Sequence, residues 1–428
     1  MTALSAPKIE VSAHDREVLR RLGAHTAEVG ASSVMDERRR LAVKLNRLEG
    51  ERPLVMLWPG GHLLDAIFAP ANLSCEGAWA QKIERQLREK LWSHEFLGED
   101  VIINPRFEHR AFYNSDDFGV QAVHRWGARG YGRDSMVWDP ALPDFPDGLD
   151  RLRHRTFTFD SDTFRSERSA LDRVFAGVLP VEYCGIWYEW TFGLTIQAVE
   201  LIGLEQLLLG MYDAPEALHS LMAFLRDDFT RLLDWLEEEG LLRANNDGSG
   251  IMAAGGCFYT DLLPQPDLPP GQPARLRDCW GMAESQETVG VSPDQFEEFV
   301  FQYHLPLVSR FGLACYGCCE PLDSRWSIIK RIPNLRRVSV SPWSDVELMA
   351  ENLGKDYIYS RKPSPTLIST AQWDEDAIRA DLRSVLEATR GMSVDFIMKD
   401  VMTDCGEPWR WPRWIAIARE EIDRVYEG

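Results

Sequence analysis

The sequence lacks the features that would place it in a membrane or in an oxidising compartment. No apolar run reaches the roughly 18 residues needed to span a bilayer, and the first residues carry neither an apolar signal core nor a small-residue cleavage pattern. Eight cysteines in 428 residues are too few for a disulfide scaffold. We therefore expect a soluble, cytoplasmic protein whose thiols serve as core residues or metal ligands.

Basic patches and phosphate-binding loops are also lacking. The formal net charge of -20 repels nucleic acid and anionic membrane surfaces. Acidic residues surround the arginines at 38–40 at helical spacing, which is typical of a solvated helix face. No glycine-rich turn follows a strand, which argues against an open nucleotide-binding sheet. We expect a small-molecule substrate and no binding to nucleic acid or membrane.

Apolar periodicity supplies the architecture. Two amphipathic helices, Asp15–Val29 and Met35–Leu48, predict an N-terminal helical extension over 1–52. Short apolar runs then alternate with long amphipathic helices, which favours a single (β/α)8 TIM barrel over 53–428. The alternation is clearest in helix Phe296–Arg310, strand Leu313–Tyr316, helix Arg325–Arg331, strand Arg337–Val340, helix Val346–Leu353, strand Tyr357–Ser360, helix Asp374–Thr389, strand Val394–Met398 and helix Arg413–Tyr426.

A proline-rich insertion interrupts this alternation at Gly255–Pro273. Loops that follow barrel strands form the active-site rim, so an insertion of this length is a candidate lid. A surface excursion explains the same composition equally well. The residues leave both interpretations open.

The most informative segment is Cys315-Tyr316-Gly317-Cys318-Cys319-Glu320, where a predicted strand ends. Two thiols and a carboxylate suit zinc, which accepts sulfur, nitrogen and oxygen ligands. If the chain stays extended, Cys318 and Glu320 project to one side and Cys319 to the other. We predict Cys318 and Glu320 as zinc ligands, with Cys319 as the alternative to Cys318, and the distant Cys405 as the third ligand.

Other polar residues near predicted strand ends are candidates for acid-base or positioning roles. Glu284 and Gln286 follow the proline-rich insertion, although their spacing also fits a helix start. Asp247 is a candidate hydrogen-bond acceptor at the rim, although Asn-Asp-Gly is also a turn sequence. His62, the run Arg106 to His109, Tyr183, Trp187 and Tyr188 are candidate pocket residues, with ordinary packing as the alternative.

Several segments resemble uroporphyrinogen-decarboxylase-like proteins. They are Trp280 to Glu287, Tyr316 to Leu322, Val338 to Trp343, Lys362-Pro363, Lys399-Asp400 and Trp414 to Glu420. The resemblance implies a (β/α)8 barrel and is nearest to the branch of zinc methyltransferases that act with methylated corrinoids. In that branch a His-x-Cys pair and a later cysteine hold zinc.

The resemblance departs from that pattern at the histidine. Either Cys318 and Glu320 replace the His-x-Cys pair, which we favour, or Tyr316 occupies the histidine position and leaves the metal one ligand short. The implied reaction moves a methyl group between a small O-, N- or S-methyl substrate, or a thiol acceptor, and a methylcorrinoid. No Asp-x-His-x-x-Gly motif is present, so the corrinoid would be carried by a partner protein.

Two alternatives remain open. One is a decarboxylase of a carboxylated ring compound, although no arginine-rich motif of the decarboxylase branch is found near Pro53 to Asp65. The other is a non-catalytic barrel subunit that binds a corrinoid protein. A homodimer is compatible with either alternative.

Overall fold

The computed structural model of the chain describes residues 9–126, 136–186, 193–248 and 256–426. Strands and helices alternate over most of these ranges. The strands are β1 (Leu54–Pro59), β2 (Phe107–Ala111), β3 (Tyr113–Ser115), β4 (Val123–Trp126), β5 (Met136–Asp139), β6 (Phe157–Phe159), β7 (Val181–Ile186), β8 (Trp280–Ala283), β9 (Leu313–Tyr316), β10 (Leu335–Val340), β11 (Ile358–Arg361) and β12 (Val394–Val401).

The helices mostly follow the strands against which they pack. They are α1 (Ala13–Gly30), α2 (Ser33–Asn46), α3 (Gly61–Ile67), α4 (Ala78–Trp92), α5 (Ser161–Phe175), α6 (Leu194–Ile202), α7 (Leu204–Asp213), α8 (Pro215–Glu238), α9 (Pro293–Phe296), α10 (Gln302–Val308), α11 (Trp326–Ile329), α12 (Val346–Leu353), α13 (Glu375–Ala388) and α14 (Arg410–Tyr426). Among these described helices, no single one is long and apolar enough to cross a bilayer, whereas the bent pair α6 and α7 meets that test jointly by length and composition.

The centre of the fold is a curled parallel sheet of six strands in the order β1-β12-β11-β10-β9-β8. The curl is visible in side-chain contacts: Lys399 on β12 contacts Cys318, just after β9, although two strands lie between. Three strand spacings would separate these strands by about 14 Å in a flat sheet. The sheet is therefore half of a barrel, with its large apolar cluster on the helix-facing side.

The predicted closed barrel of eight strands is not shown. β2 and β7 pair with each other in a separate parallel sheet, and β3–β6 and β4–β5 form two antiparallel pairs. At the free edge of β1, the amides of Val55 and Leu57 donate to the side chains of Asp100 and Glu99, at 2.9 and 2.7 Å. These carboxylates replace part of a strand ladder, which satisfies the edge without a neighbouring strand.

The opposite edge, at β8, is satisfied in the same way. The Trp280 amide donates to Asn245 Oδ1 at 2.7 Å, and Asn245 Nδ2 donates to the Trp280 carbonyl at 3.1 Å. A single side chain thus makes both hydrogen bonds that a paired strand residue would make. The sequence prediction of eight equivalent strands overlooked this use of polar side chains.

The N-terminal helices cover one end of the curled sheet. Asn46, the last residue of α2, donates to the carbonyls of Cys257 and Tyr259, both at 2.8 Å, and accepts from Arg337 of β10 at 3.2 Å. Arg337 lies in the first half of its strand, so α2 lies at the amino ends of the strands. The described part of the proline-rich insertion begins there as well, so Cys257 does not belong to a lid over the carboxyl ends.

Candidate functional site

The carboxyl ends of the central strands bring together a pair of thiols and a lysine. β9 ends at Tyr316, Gly317 follows with φ of +95°, and the chain bends through 318–320. Lys399 lies two residues before the end of β12. The carboxyl ends of parallel strands are where ligands bind in α/β proteins, so we take this cluster as the candidate active site.

The two thiols share the lysine. The Sγ atoms of Cys318 and Cys319 are 3.6 Å apart, and Lys399 Nζ is 3.2 Å from each of them. Asp400 completes the cluster, with Oδ2 3.2 Å from Lys399 Nζ and 3.7 Å from Cys319 Sγ. Cys318 is fully buried and Cys319 is partly buried, so only Cys319 is within reach of a substrate.

The electrostatics of the cluster make Cys319 the first thiol to ionise. The hydrogen bond from Cys318 and the charge of Lys399 together lower the pKa of Cys319 to about 7, against the effect of burial. The same bond and burial raise the pKa of Cys318 far above that of an ordinary thiol. The pair therefore holds one proton, on Cys318, and one thiolate, on Cys319, near neutral pH.

The predicted alternation of Cys318, Cys319 and Glu320 is wrong, because the chain is not extended here. The two sulfurs lie on the same side, and Glu320 turns back onto the backbone. Its two oxygens accept from the amides of Ser285 and Cys318, each at 2.9 Å. Glu320 is fully buried and therefore braces the loops after β8 and β9.

The donors present do not fit the predicted zinc site. Cys405 is exposed and its sulfur contacts the Thr370 carbonyl oxygen at 3.3 Å. Both Glu320 oxygens are taken by amides. Among the described residues, no group of three or more histidine, cysteine, aspartate or glutamate side chains is arranged to hold a metal ion. The structure therefore does not bring Cys318, Glu320 and Cys405 together as a ligand set.

Lys399 occupies the place that a cation would take between the thiols. Two thiolates on a tetrahedral zinc ion with Zn–S of about 2.3 Å would be about 3.8 Å apart, close to the observed 3.6 Å. The ammonium group at 3.2 Å from each sulfur supplies the positive charge instead. Zinc binding at this cluster stays a prediction.

Glu284 is the candidate acid of the site. It follows β8 directly, is 1% exposed, and its Oε2 accepts from the Gln286 amide at 3.0 Å. Its Oε1 is buried and has no hydrogen-bond partner within the described ranges. Burial, with the charges of Glu320 and Glu287, raises the pKa of Glu284 well above that of an ordinary carboxyl. These effects favour the protonated form of Glu284, which can donate a proton.

The other predicted catalytic residues have structural contacts. Gln286 begins a short 3-10 turn, and it is its backbone amide that contacts Glu284. Tyr316 packs on the helix-facing side with its hydroxyl 3.2 Å from Ser285 Oγ. Asp247 forms an ion pair with Arg106, and its carbonyl accepts from Asn104. None of these contacts assigns a catalytic step to Gln286, Tyr316 or Asp247.

Sequence reasoning missed the charged residues of the sheet interior. Arg337 and Asp395 form a fully buried ion pair, and Ser360 donates to Asp395 at 2.6 Å. Lys362 donates to Ser360 Oγ at 2.7 Å, and burial lowers the pKa of Lys362 to about 8. Lys399 extends this series of buried polar residues toward the thiols. Charged residues inside otherwise apolar strands were the pattern that could have revealed them.

The structure places the candidate pocket residues in different surroundings. His62 contacts the Met402 carbonyl at 2.8 Å, and Tyr183 donates to the Leu241 carbonyl at 2.6 Å. The run Arg106 to His109 lines a cavity beside β1. Trp187 and Tyr188 lie outside the described residues.

Comparison with known proteins supports the fold. No protein-family model and no curated protein matches the chain. Among solved structures, the chain is similar to a methyltransferase from Methanosarcina mazei, with 12% sequence identity, a TM-score of 0.52, and coverage of 90% of this chain and 98% of that chain. At this identity the similarity concerns the fold alone, over nearly the full length of both proteins.

Proposed function

We propose that this chain is a methyltransferase whose reacting group is the thiolate of Cys319. The observation that carries the proposal is the Cys318–Cys319 pair beneath Lys399, at the carboxyl ends of β9 and β12. A thiolate is a strong nucleophile toward methyl groups, and a fixed ammonium group favours the thiolate over the thiol. The fold similarity to a methyltransferase is consistent with this chemistry.

The transfer needs a nucleophile and, for poor leaving groups, an acid. The Cys319 sulfur supplies the electron pair of the new S–C bond, and the bond between the methyl group and its carrier breaks with its electron pair left on the carrier. A carrier that leaves as an alkoxide or an amine anion then takes the proton of Glu284, whose protonated form is favoured by burial. Lys399 holds the thiolate in place before the attack.

The finer points of the proposal come from the resemblance. A corrinoid on a partner protein as the second methyl carrier and closure of the eight-stranded barrel remain part of the proposal. Zinc held by the two thiols would require Lys399 to leave its place between them, and the proposed reaction does not use it. The decarboxylase alternative would need cations for the substrate carboxylates. Within the described sheet interior, however, Arg337 pairs with Asp395 and Lys399 with the thiols. The non-catalytic alternative leaves the lysine and thiol cluster unexplained.

Methylcobalamin provides a direct test with the full chain. We expect the wild-type protein to consume it and to acquire one methyl group on Cys319, which peptide mass spectrometry would locate. Cys319→Ser should abolish both changes, because a serine hydroxyl is not ionised at neutral pH. Cys405→Ser is the matched control, since that thiol is exposed and lies on Thr370. Equal methylcobalamin consumption by wild type and Cys319→Ser would overturn the proposal.

A further inference from the structure

A cavity of about 490 Å³ lies beside the candidate active site, between β1, α4, β2 and α5. This volume is in the range of small-molecule pockets, roughly 300 to 1,000 Å³. Aromatic side chains form much of the described wall, and they are Trp58, Trp79, Trp92, Phe107 and Phe112. Such walls favour a flat, largely apolar occupant.

The charged residues of the wall are mostly paired with one another. Lys90 pairs with Glu108, Lys82 is 3.4 Å from Glu167, and Arg106 pairs with Asp247. Glu99 already accepts from the Leu57 amide and the Ser93 hydroxyl. These pairings leave little net attraction for a strongly charged ligand.

His109 is the exception in this wall. It is 4% exposed, and its ring stacks on Phe164 at 4.2 Å. Its Nε2 is 3.7 Å from the Glu167 carboxylate, which is too far for a hydrogen bond, but the negative charge on that side of the ring favours the tautomer with the proton on Nε2. Nδ1 is then an acceptor, and it is buried without a hydrogen-bond partner in the described parts of the chain. A buried acceptor with no partner is costly, so a ligand that donates to it gains affinity.

The helical part of the cavity wall contains an irregular turn. α4 passes directly into a π-helical turn, Ser93–Leu97, and both Ser93 and Leu97 line the cavity. π-helical turns are rare and occur often at functional sites. Trp58 of the cavity wall lies on β1, which pairs with β12 so that Leu57 is opposite Met398 and Pro59 is opposite Val401. The backbone of Trp58 is therefore next to that of Lys399 and Asp400.

We propose that this cavity binds a planar aromatic molecule with one hydrogen-bond donor, a phenol or an arylamine, whose donor pairs with His109. The aromatic walls, the paired charges and the buried acceptor on His109 together favour this class of ligand. β1, which lines the cavity, is next to β12, which carries Lys399, so the occupant of the cavity is a candidate substrate. Binding itself does not depend on the proposed methyl transfer.

Calorimetric titration of the full chain with two probes tests the proposal. 2-Naphthol has the donor, and 2-methoxynaphthalene has the same ring system without it. We expect 2-naphthol to bind roughly 10-fold more tightly, the effect of one hydrogen bond to a buried acceptor. His109→Phe, which keeps the ring stacked on Phe164, should remove this difference, whereas His124→Phe on β4 should preserve it because His124 does not line the cavity.

A second variant locates the site independently of His109. Gln86→Trp places a large ring into the cavity from α4 and should abolish binding of both probes while leaving the circular dichroism spectrum unchanged. Cys319→Ser should bind both probes as the wild type does, which separates this proposal from the methyl-transfer proposal. Equal affinity of the two probes, undiminished binding by Gln86→Trp, or no binding to the wild type would each overturn it.

Discussion

Lys399 is the residue on which the chemistry of the thiol pair depends. Its ammonium group is 3.2 Å from both sulfurs, whereas a soft metal ion would be the usual partner of two adjacent thiolates. Asp400, directly after it, has a backbone φ of 60°, a conformation that non-glycine residues seldom adopt. Such backbone strain concentrates at functional sites, which agrees with the assignment of this cluster.

Replacing Lys399 should convert the pair into a metal-binding site. We expect Lys399→Met to raise the zinc content of the purified protein from below ~0.1 to nearly one equivalent, because the sulfurs already have the spacing of a tetrahedral zinc site. Elemental analysis measures this directly, and Lys44→Met on the surface of α2 is the control. A full equivalent of zinc in the wild-type protein would show instead that Lys399 gives way to the metal.

The same lysine should set the pH dependence of Cys319 reactivity. The pKa of Cys319 is about 7, and the reactive thiolate forms above it, so the rate of alkylation by iodoacetamide should rise with pH to a midpoint near 7. Lys399→Met removes a positive charge that favours the thiolate, so the midpoint should move upward, toward about 8.5.

Peptide mass spectrometry at a series of pH values gives the rate for each cysteine. Alkylation of the exposed Cys405 should be the same in both proteins, which controls for reagent effects. A Cys319 profile unaffected by Lys399→Met would contradict the contact between them.

At the scale of strands and helices, the sequence predicted the second half of the sheet closely. The strand Leu313–Tyr316 and the helix Val346–Leu353 have the predicted bounds, because each is a short apolar or amphipathic run between polar turns. β2 and β7 were not predicted as a separate pair. The edges of β1 and β8, where a closed barrel would have neighbouring strands, are satisfied by the distant side chains of Asp100 and Asn245, which no local sequence pattern indicates.

The site was less predictable than the strands. The thiol segment was recognised because cysteines and a carboxylate are adjacent in the sequence. Its partner was not, because Lys399 is 81 residues from Cys318 and only the curl of the sheet brings the two together. Cys405, which was expected as that partner, lies on Thr370 instead. Sequence spacing identifies the residue types of a site better than it identifies their contacts.

The stability of the fold should depend on pH through Glu99, which accepts a hydrogen bond at the edge of β1. Burial raises the pKa of Glu99 from 4.5 to about 7, so between these values the carboxyl ionises first in the unfolded chain. The folded state then binds the extra proton, and its stability falls as the pH rises. Relative to wild type, Glu99→Gln should gain up to about 3 kcal/mol in unfolding free energy between about pH 5 and pH 8, since one pKa unit is worth about 1.4 kcal/mol.

Urea unfolding at the two pH values measures this difference. Glu108→Gln is the matched control: burial raises the pKa of Glu108, but Lys90, Asn104 and Arg110 together outweigh it and keep that pKa below its usual value. That carboxyl is ionised throughout the range in both states, so Glu108→Gln should show no comparable gain. A constant difference between wild type and Glu99→Gln would mean that Glu99 is already ionised in the fold.

At the scale of the whole molecule, a series of buried polar residues runs through the sheet interior from the amino ends of the strands to their carboxyl ends. Asn46 and the Arg337–Asp395 pair lie toward the amino ends, Ser360 and Lys362 follow, and Lys399 with the thiols lies at the carboxyl ends. Each residue in this series has at least one named hydrogen-bond or ion-pair partner, which is the condition for burying charge in a protein. The N-terminal helices therefore complete the interior as well as covering it.

Removal of residues 1–52 tests this dependence. Leu41, Ala42 and Leu45 of α2 share an apolar cluster with Met56 and Ile397 of the sheet. Without α2 the sheet side of this cluster is exposed to solvent. The remaining chain 53–428 should therefore lose its cooperative thermal transition and bind ANS. In the full chain, Asn46→Ala removes the hydrogen bonds to the Cys257 and Tyr259 carbonyls and the one from Arg337, and should cost about 1 to 3 kcal/mol. Asn72→Ala, at an exposed position, should cost less than about 0.5 kcal/mol. If residues 53–428 unfold cooperatively at the same melting temperature as the full chain, the N-terminal helices do not stabilise the sheet, and its polar interior is stable without Asn46.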